Sequence, residues 1–469
     1  MNIFCRLLLL LLILSSCNKV AEYPNLVYIL ADDMGYGDLS SLNPASKIIT
    51  PNMDRIATEG MVFTDAHSGS AVCTPTRYGI LTGRYSWRSR LKQGVTWSWD
   101  QPLIEDGRQT VASLLQQKGY STACIGKWHL GLGWTMDTTG IADFSKNIHT
   151  GPNDNGFDYS FIIPASLDIP PYVYIEDKII TAQPDTITEN NSKFGWWRPG
   201  HTGADFEHKR VLETFTEKAV AWIESQADED EKPFFLYLPL AAPHTPILPS
   251  GRFEGISNTN PYGDFVVMVD HMIGRILDVL EKNELSNNTI VIVTSDNGCS
   301  PQADFAELAS LGHDPSYIYR GHKADIFEGG HRVPFLVRWP GKIKPGLQSE
   351  QIICLTDLMA TMSEITGAEL KDNEGEDSFS FLRTLLKNKP SGRKSVIHHS
   401  VDGFFAIRKD GWKLEICPGS GGWSFPVNSE AKEMGLPPVQ LYNLYIEPEE
   451  RENVAYKNPL IVEELYNLL

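Results

Sequence analysis

Leu26-Val27-Tyr28-Ile29-Leu30 runs without a polar break into Ala31-Asp32-Asp33. A short, continuous apolar run suits a strand buried on both faces of a mainly parallel sheet. The same design recurs three times. Thr122–Ile125 leads into Gly126-Lys127-Trp128-His129, Phe234–Leu238 into Pro243-His244, and Ile290–Thr294 into Asp296-Asn297. Between such runs, Phe265, Val269, Met272, Ile273, Ile276, Leu277 and Leu280 keep helical spacing. Strands alternating with helices predict an α/β sandwich with a large mixed, mostly parallel sheet, whose ligands gather at the carboxyl ends of the strands. Every polar cluster just named falls there.

From about residue 390 the pattern changes. Val396–His399, Phe404–Arg408 and Trp412–Ile416 read as antiparallel strands, the last two joined at Asp410-Gly411, with a closing helix near Ile461–Leu468. The expected organisation is a catalytic domain over 25–389 and a small antiparallel subdomain over 390–469. Residues 141–210, rich in Pro, Gly, Asn and aromatics, read as a long irregular insertion shaping a pocket.

The 469 residues carry Lys+Arg 41 against Asp+Glu 59, a net charge of -18. That balance argues against nucleic acid as a partner. A local basic cluster can still hold a small anion. At the start, Arg6 and the apolar run Leu7–Leu14 are too short to span a bilayer and read as a secretory signal. Leu14-Ser15-Ser16-Cys17 resembles a bacterial lipobox, which implies a signal over 1–16, lipid on Cys17, a tether over 17–24, and an exported lipoprotein of the periplasm or outer membrane. The cysteines then remaining, Cys73, Cys124, Cys299, Cys354 and Cys417, form no CxxC pair, which speaks against a cysteine zinc site.

Cys73-Thr74-Pro75-Thr76-Arg77, followed by Thr82-Gly83-Arg84, resembles the C-x-P-[ST]-R signature of the type I sulfatases of the alkaline phosphatase superfamily. Further blocks of that family recur in order: Leu30–Gly35, Gly126–Gly131, Pro243-His244, Ser295–Gly298, Gly321-His322-Lys323 and Glu328-Gly329-Gly330, with an echo at Leu441–Leu444. The resemblance implies hydrolysis of sulfate esters. A maturation enzyme would oxidise Cys73 to formylglycine, the nucleophile, and Arg77 would stabilise it. Lys127 would contact sulfate, His129 would act as base when the enzyme–sulfate intermediate collapses, and His244 or Lys323 would protonate the leaving group. Asp32, Asp33, Asp296 and Asn297 are hard oxygen donors suited to Ca²⁺ or Mg²⁺. The resemblance implies one calcium ion, its shell completed by the modified Cys73.

Pro75 suits the first turn of a helix, whose amino end would favour an anionic oxygen near Cys73. Lys127 and His129, two apart, share one pocket if the chain stays extended. His313, His322, His331 and Arg332, close in sequence, read as supporting residues or substrate contacts, with a structural role the equal alternative. The implied substrate is a sulfated mono- or oligosaccharide, with galactose or N-acetylgalactosamine carrying a 6-O-sulfate. Asp168, His208 and His313 are the candidate sugar contacts. Two rival readings are a phosphatase or phosphonate monoester hydrolase of the same superfamily, and a glycan-binding lipoprotein that has lost its chemistry.

Overall fold

The computed structural model describes residues 23–469 except 139, 141 and 228–231. The expected signal, the Cys17 lipidation site and residues 17–22 of the tether lie outside the described residues. Among those described, no helix is long and apolar enough to cross a membrane.

One sheet of ten strands organises the chain. Its centre is parallel: β11 (Thr289–Ser295), β1 (Asn25–Ala31), β10 (Phe234–Pro239), β4 (Ser121–Lys127) and β5 (Tyr159–Ile163) lie side by side. On one flank β12 (Phe335–Arg338) runs antiparallel, followed by β2 (Met61–Phe63) and β13 (Leu347–Ser349). On the other flank stand β6 (Ile175–Glu176) and β7 (Ile179–Ile180). Side chains alternate between two cores. Val27, Ile29 and Ala31 join the helices Val211–Ala227 and Pro261–Lys282 on one face. Leu26, Tyr28 and Leu30 join the helices Cys73–Thr82, Val111–Gln117 and Leu358–Thr366 on the other. With both faces covered, an uninterrupted apolar strand is what burial demands.

The stretch 141–210 is not the irregular insertion expected from its composition. It supplies β5, which extends the parallel sheet, then β6 and β7, and a separate ladder of β8 (Thr186–Asn190) and β9 (Trp197–Thr202). A short pair joins β3 (Ala66–His67) to β14 (Ile353–Cys354). A four-stranded antiparallel sheet follows, β15 (Ser395–His399), β16 (Phe405–Lys409), β17 (Trp412–Glu415) and β18 (Gln440–Asn443), and the helix Pro459–Leu468 closes the chain. Asp410 and Gly411 turn β16 into β17 with φ of 49° and 78°, the left-handed pair that a two-residue hairpin needs.

Candidate active site

Four adjacent parallel strands deliver the site. Asp32 and Asp33 follow β1, Asp296 and Asn297 follow β11, Lys127 ends β4, and His244 lies on the loop after β10. Backbone bonds lock these ends together, Asp296 N–H to Ala31 O at 3.1 Å and Asp32 N–H to Ala242 O at 3.0 Å. Gly126 has a φ of 141° and passes so close to Pro239 that a Cβ would sit 1.9 Å from its carbonyl oxygen; only glycine allows β4 to reach β10 there. Cys73 is the first residue of its helix, and Arg77, one turn on, shares its face.

The charged groups interlock in the interior. Arg77 donates to Asp296 Oδ2 from Nε (3.1 Å) and Nη2 (2.7 Å), and to Lys127 O from Nη1 (2.9 Å). Lys127 Nζ is 2.6 Å from Asp32 Oδ2, and Lys323 Nζ is 2.8 Å from Asp33 Oδ2. Cys73 Sγ lies 3.5 Å from Asp32 Oδ1. His244 Nε2 is 3.6 Å from Asp33 Oδ2, and its side chain, 12% exposed, stands where the sealed cluster meets solvent. Burial alone would raise Asp32, yet Lys127, His244, Arg77 and Lys323 hold its carboxyl well below the usual range. Burial, then the charge on Asp296, pushes the Cys73 thiol up. A bare thiol here is therefore protonated and inert at neutral pH.

The chain is not extended through His129 as the two-residue spacing suggested. His129 turns with φ of 56°, and its Nε2–H donates to Thr96 O at 2.8 Å. The ring stays close enough to feel Lys127, Arg77 and Asp32. Burial first, then Lys127 and Arg77, hold it well below the ordinary histidine range. Its Nδ1 is buried without a hydrogen-bond partner. A neutral imidazole with one fixed N–H and one free lone pair is a proton acceptor.

Asp32, Asp33 and Asp296 together with Asn297 form an all-oxygen donor set. Asn297 Oδ1 is buried with no hydrogen-bond partner. An orphaned carbonyl oxygen beside three carboxylates fits a hard divalent cation, so the residues accommodate calcium.

The expected sugar contacts divide. Asp168 and His208 both pack on Tyr172, whose hydroxyl donates to Asp168 O at 3.2 Å and whose ring centroid is 4.5 Å from that of His208. Asp168 pairs with Arg198, whose guanidinium lies over Trp97 at 5.2 Å and Trp196 at 4.7 Å. His208 stacks on Trp197 at 3.9 Å and bonds the Leu167 backbone. Asp168 Oδ1 and His208 Nε2 are both buried without partners. His313 does not belong there. Its Nε2 meets Asp38 Oδ1 at 2.9 Å and its Nδ1 accepts from Lys47 N–H at 3.3 Å, so no ring atom is open to a sugar and its role is structural. Lys323's neighbour His322 bonds Ser424 (3.1 Å), while Arg332 pairs with Glu328 and Asp65, both away from the carboxylate cluster. The sequence reading missed Thr96 and Arg198. The first acts through a backbone oxygen, which no side-chain motif records; the aromatic–basic run Trp196-Trp197-Arg198 was the available signal for the second.

The family model described as Sulfatase matches residues 24–368. A protein named N-acetylgalactosamine-6-O-sulfatase from Bacteroides thetaiotaomicron is 34% identical, over 97% of this chain and 96% of its own length. The mouse protein named N-acetylgalactosamine-6-sulfatase is 30% identical, over 88% of this chain and 76% of its own. A solved Bacteroides thetaiotaomicron structure, from work on the metabolism of multiple glycosaminoglycans, superposes with a TM-score of 0.84 at 32% identity, covering 96% of this chain and 98% of that one.

Proposed function

The chain belongs to the sulfatase family of sulfuric ester hydrolases, and from that membership we propose that it removes 6-O-sulfate from galactose or N-acetylgalactosamine in sulfated glycans. One observation carries the reading: Cys73 sits at a helix start against three carboxylates and three cationic side chains, all gathered at the carboxyl ends of parallel strands. The names of two relatives and the open hydrogen-bonding atoms of Asp168 and His208 support the choice of sugar.

Cys73, once oxidised to formylglycine, would supply the oxygen nucleophile. Asp32, Asp33, Asp296 and Asn297 would hold Ca²⁺, which when bound neutralises the anionic ester. Lys127 and Lys323 place two ammonium groups on either side of the same cluster, positioned to bind sulfate oxygens. Arg77 fixes Asp296 and the end of β4. His129, kept neutral by burial and by Lys127, takes a proton at Nδ1 because Thr96 O holds its Nε2–H. His244, at the solvent edge with Nδ1–H given to Thr245 O at 2.5 Å, directs Nε2 inward, and as the imidazolium it would hand its Nε2 proton to the departing alkoxide, with Lys323 as the alternative.

Export and a lipid anchor on Cys17 complete the proposal, and the mass of the mature amino terminus tests them. The reaction is tested by sulfate release from galactose and N-acetylgalactosamine sulfated at C3, C4 or C6, with phosphorylated counterparts alongside, using protein matured on Cys73. Release from the 6-sulfated sugars is expected. Phosphate release without sulfate release would overturn the assignment, and release from another regioisomer would overturn the 6-O reading alone.

A further inference from the structure

Away from the carboxylate cluster, three histidines meet in the interior. His67 ends β3, His331 ends the short helix Glu328–His331, and His398 lies in β15; none has any solvent exposure. They sit where the segment leading to Cys73 is caught between the two sheets. Ser68 N–H bonds His331 O at 2.9 Å, and Ala71 N–H bonds His399 O at 3.1 Å.

Their proton positions follow from the second nitrogen of each ring. His67 Nε2 faces Asp65 Oδ1 at 2.9 Å. Arg408 Nη1 stands against the same His67 Nε2 and also pairs with Asp65, so His67 Nδ1 is open when Nε2–H is given to Asp65 and carries the proton when Nε2 accepts from Arg408. His331 Nε2 faces Ile326 O at 3.2 Å, and His398 Nδ1 faces Ser68 O at 3.0 Å. Carbonyl oxygens only accept, so those two nitrogens carry protons, which leaves a lone pair on His331 Nδ1 and on His398 Nε2. His67 Nδ1 and His331 Nδ1 stand 3.1 Å apart, and His398 Nε2 is buried with no hydrogen-bond partner. The ligand atoms of the three rings lie within 4.8 Å of one another.

Histidines that bind metal give their other N–H to a carboxylate or a backbone carbonyl, and each of these three has such an acceptor within 3.2 Å. Close by, Asp65, Glu328, Glu415 and Glu450 pair with Arg332, Arg408 and Lys413, and Glu328 Oε1 and both Glu415 carboxylate oxygens lack hydrogen-bond partners. A surface cleft of about 440 Å³, lined by Tyr36, Asp65, Glu328, Arg332 and Arg408 among others, reaches two of the carboxylates and offers an entry path.

We propose that His67, His331 and His398 form a structural site for an imidazole-binding divalent cation, zinc fitting best, that ties the strap entering Cys73 to the C-terminal sheet. His331 and His398 stack face to face, centroids 3.6 Å apart and planes 11° apart, so binding draws His398 off the stack to aim its Nε2 at the ion.

The full chain is refolded with zinc, with excess calcium present to occupy the oxygen donors at Asp32, Asp33 and Asp296, then dialysed. Zinc content, X-ray absorption and Tm are measured. The expected result is about one zinc per chain with a nitrogen-dominated shell at roughly 2.0–2.1 Å, and a Tm about 3 °C or more above protein refolded in chelator. His398→Ala and His398→Asn should both lose the metal. The absorption spectrum of wild type stands even if neither variant folds. If His67 instead keeps its proton on Nδ1 and donates it to His331, the lone pairs are satisfied and no zinc is retained. That result, an oxygen-only shell, or undiminished zinc in a folded His398 variant would overturn the proposal. None of these readings depends on sulfate release.

Discussion

Arg77 holds Asp296 through two nitrogens on one carboxylate oxygen, at 3.1 and 2.7 Å, and neither side chain touches solvent. A buried pair of this kind need not add stability over apolar residues, but removing one partner strands a charge in the interior. Arg77→Ala should therefore cost roughly 3–5 kcal/mol, read from urea denaturation, in addition to any loss of turnover. A variant as stable as the parent would mean that Asp296 accepts a proton when its partner is gone.

Cys73 makes the second prediction. Its thiol, raised by burial and by Asp296, is a poor nucleophile as it stands. Protein produced without a maturation enzyme should release sulfate on the order of 10⁴-fold more slowly or worse than matured protein, with the modification checked by mass. Cys73→Ala should be equally inactive and melt at the same temperature as unmodified chain. Full turnover from verified thiol would reject the nucleophile assignment.

Removal of calcium should be felt in both activity and stability. Without the cation, Asp32, Asp33 and Asp296 rely on Lys127, Lys323, Arg77 and His244. Chelation is expected to abolish sulfate release, and calcium at about 100 times its Kd to restore it with roughly 2.7 kcal/mol of added stability. Activity indifferent to chelator and calcium alike would remove the metal from the mechanism.

The parallel strands could be read from sequence because burial on both faces erases alternation, as in Leu26–Leu30, and because their polar endings are local in the chain. The blocks that carry the clustered side chains were legible for the same reason. What escaped depends on distance along the chain. β5 is five residues long inside a stretch dominated by loop-forming residues, and β8 and β9 are polar and largely solvent-facing, so periodicity gave no sign of them. Thr96 meets His129 across 33 residues and Arg198 meets Asp168 across 30. His313, named among the sugar contacts, instead turns its ring to Asp38, 275 residues away in the chain.

Two buried histidines set an acid limit. Burial lowers His399 to about 4 and His208 to about 4, against about 6.5 unfolded. Between those values the unfolded chain binds protons that the folded chain refuses. Their contribution is thus complete above pH 6.5 and lost as pH falls towards 4, about 3 kcal/mol for each at the limit. Urea midpoints at pH 7.5, 6 and 5 should fall in that order. His399→Phe, which fills the pocket against Trp87 without titrating, should flatten the slope; an unchanged slope would exclude His399 as a source.

Asp168 offers the sharpest test of substrate choice. One carboxylate oxygen is spent on Arg198, itself steadied between Trp97 and Trp196, and the other is buried with nothing to accept from. A buried acceptor left open in the free protein is stabilised by a ligand hydroxyl, and an analogue lacking that hydroxyl forfeits the gain. Asp168→Ala should lower kcat/KM on 6-sulfated galactose or N-acetylgalactosamine by about 10- to 100-fold. Turnover of a small aryl sulfate, which has no sugar hydroxyl to offer, should stay within a few-fold of the parent. Arg198→Lys keeps the charge but loses the flat guanidinium between two rings, so it should fall between the two. Equal losses on sugar and aryl substrates would show that Asp168 supports the fold around it rather than the sugar.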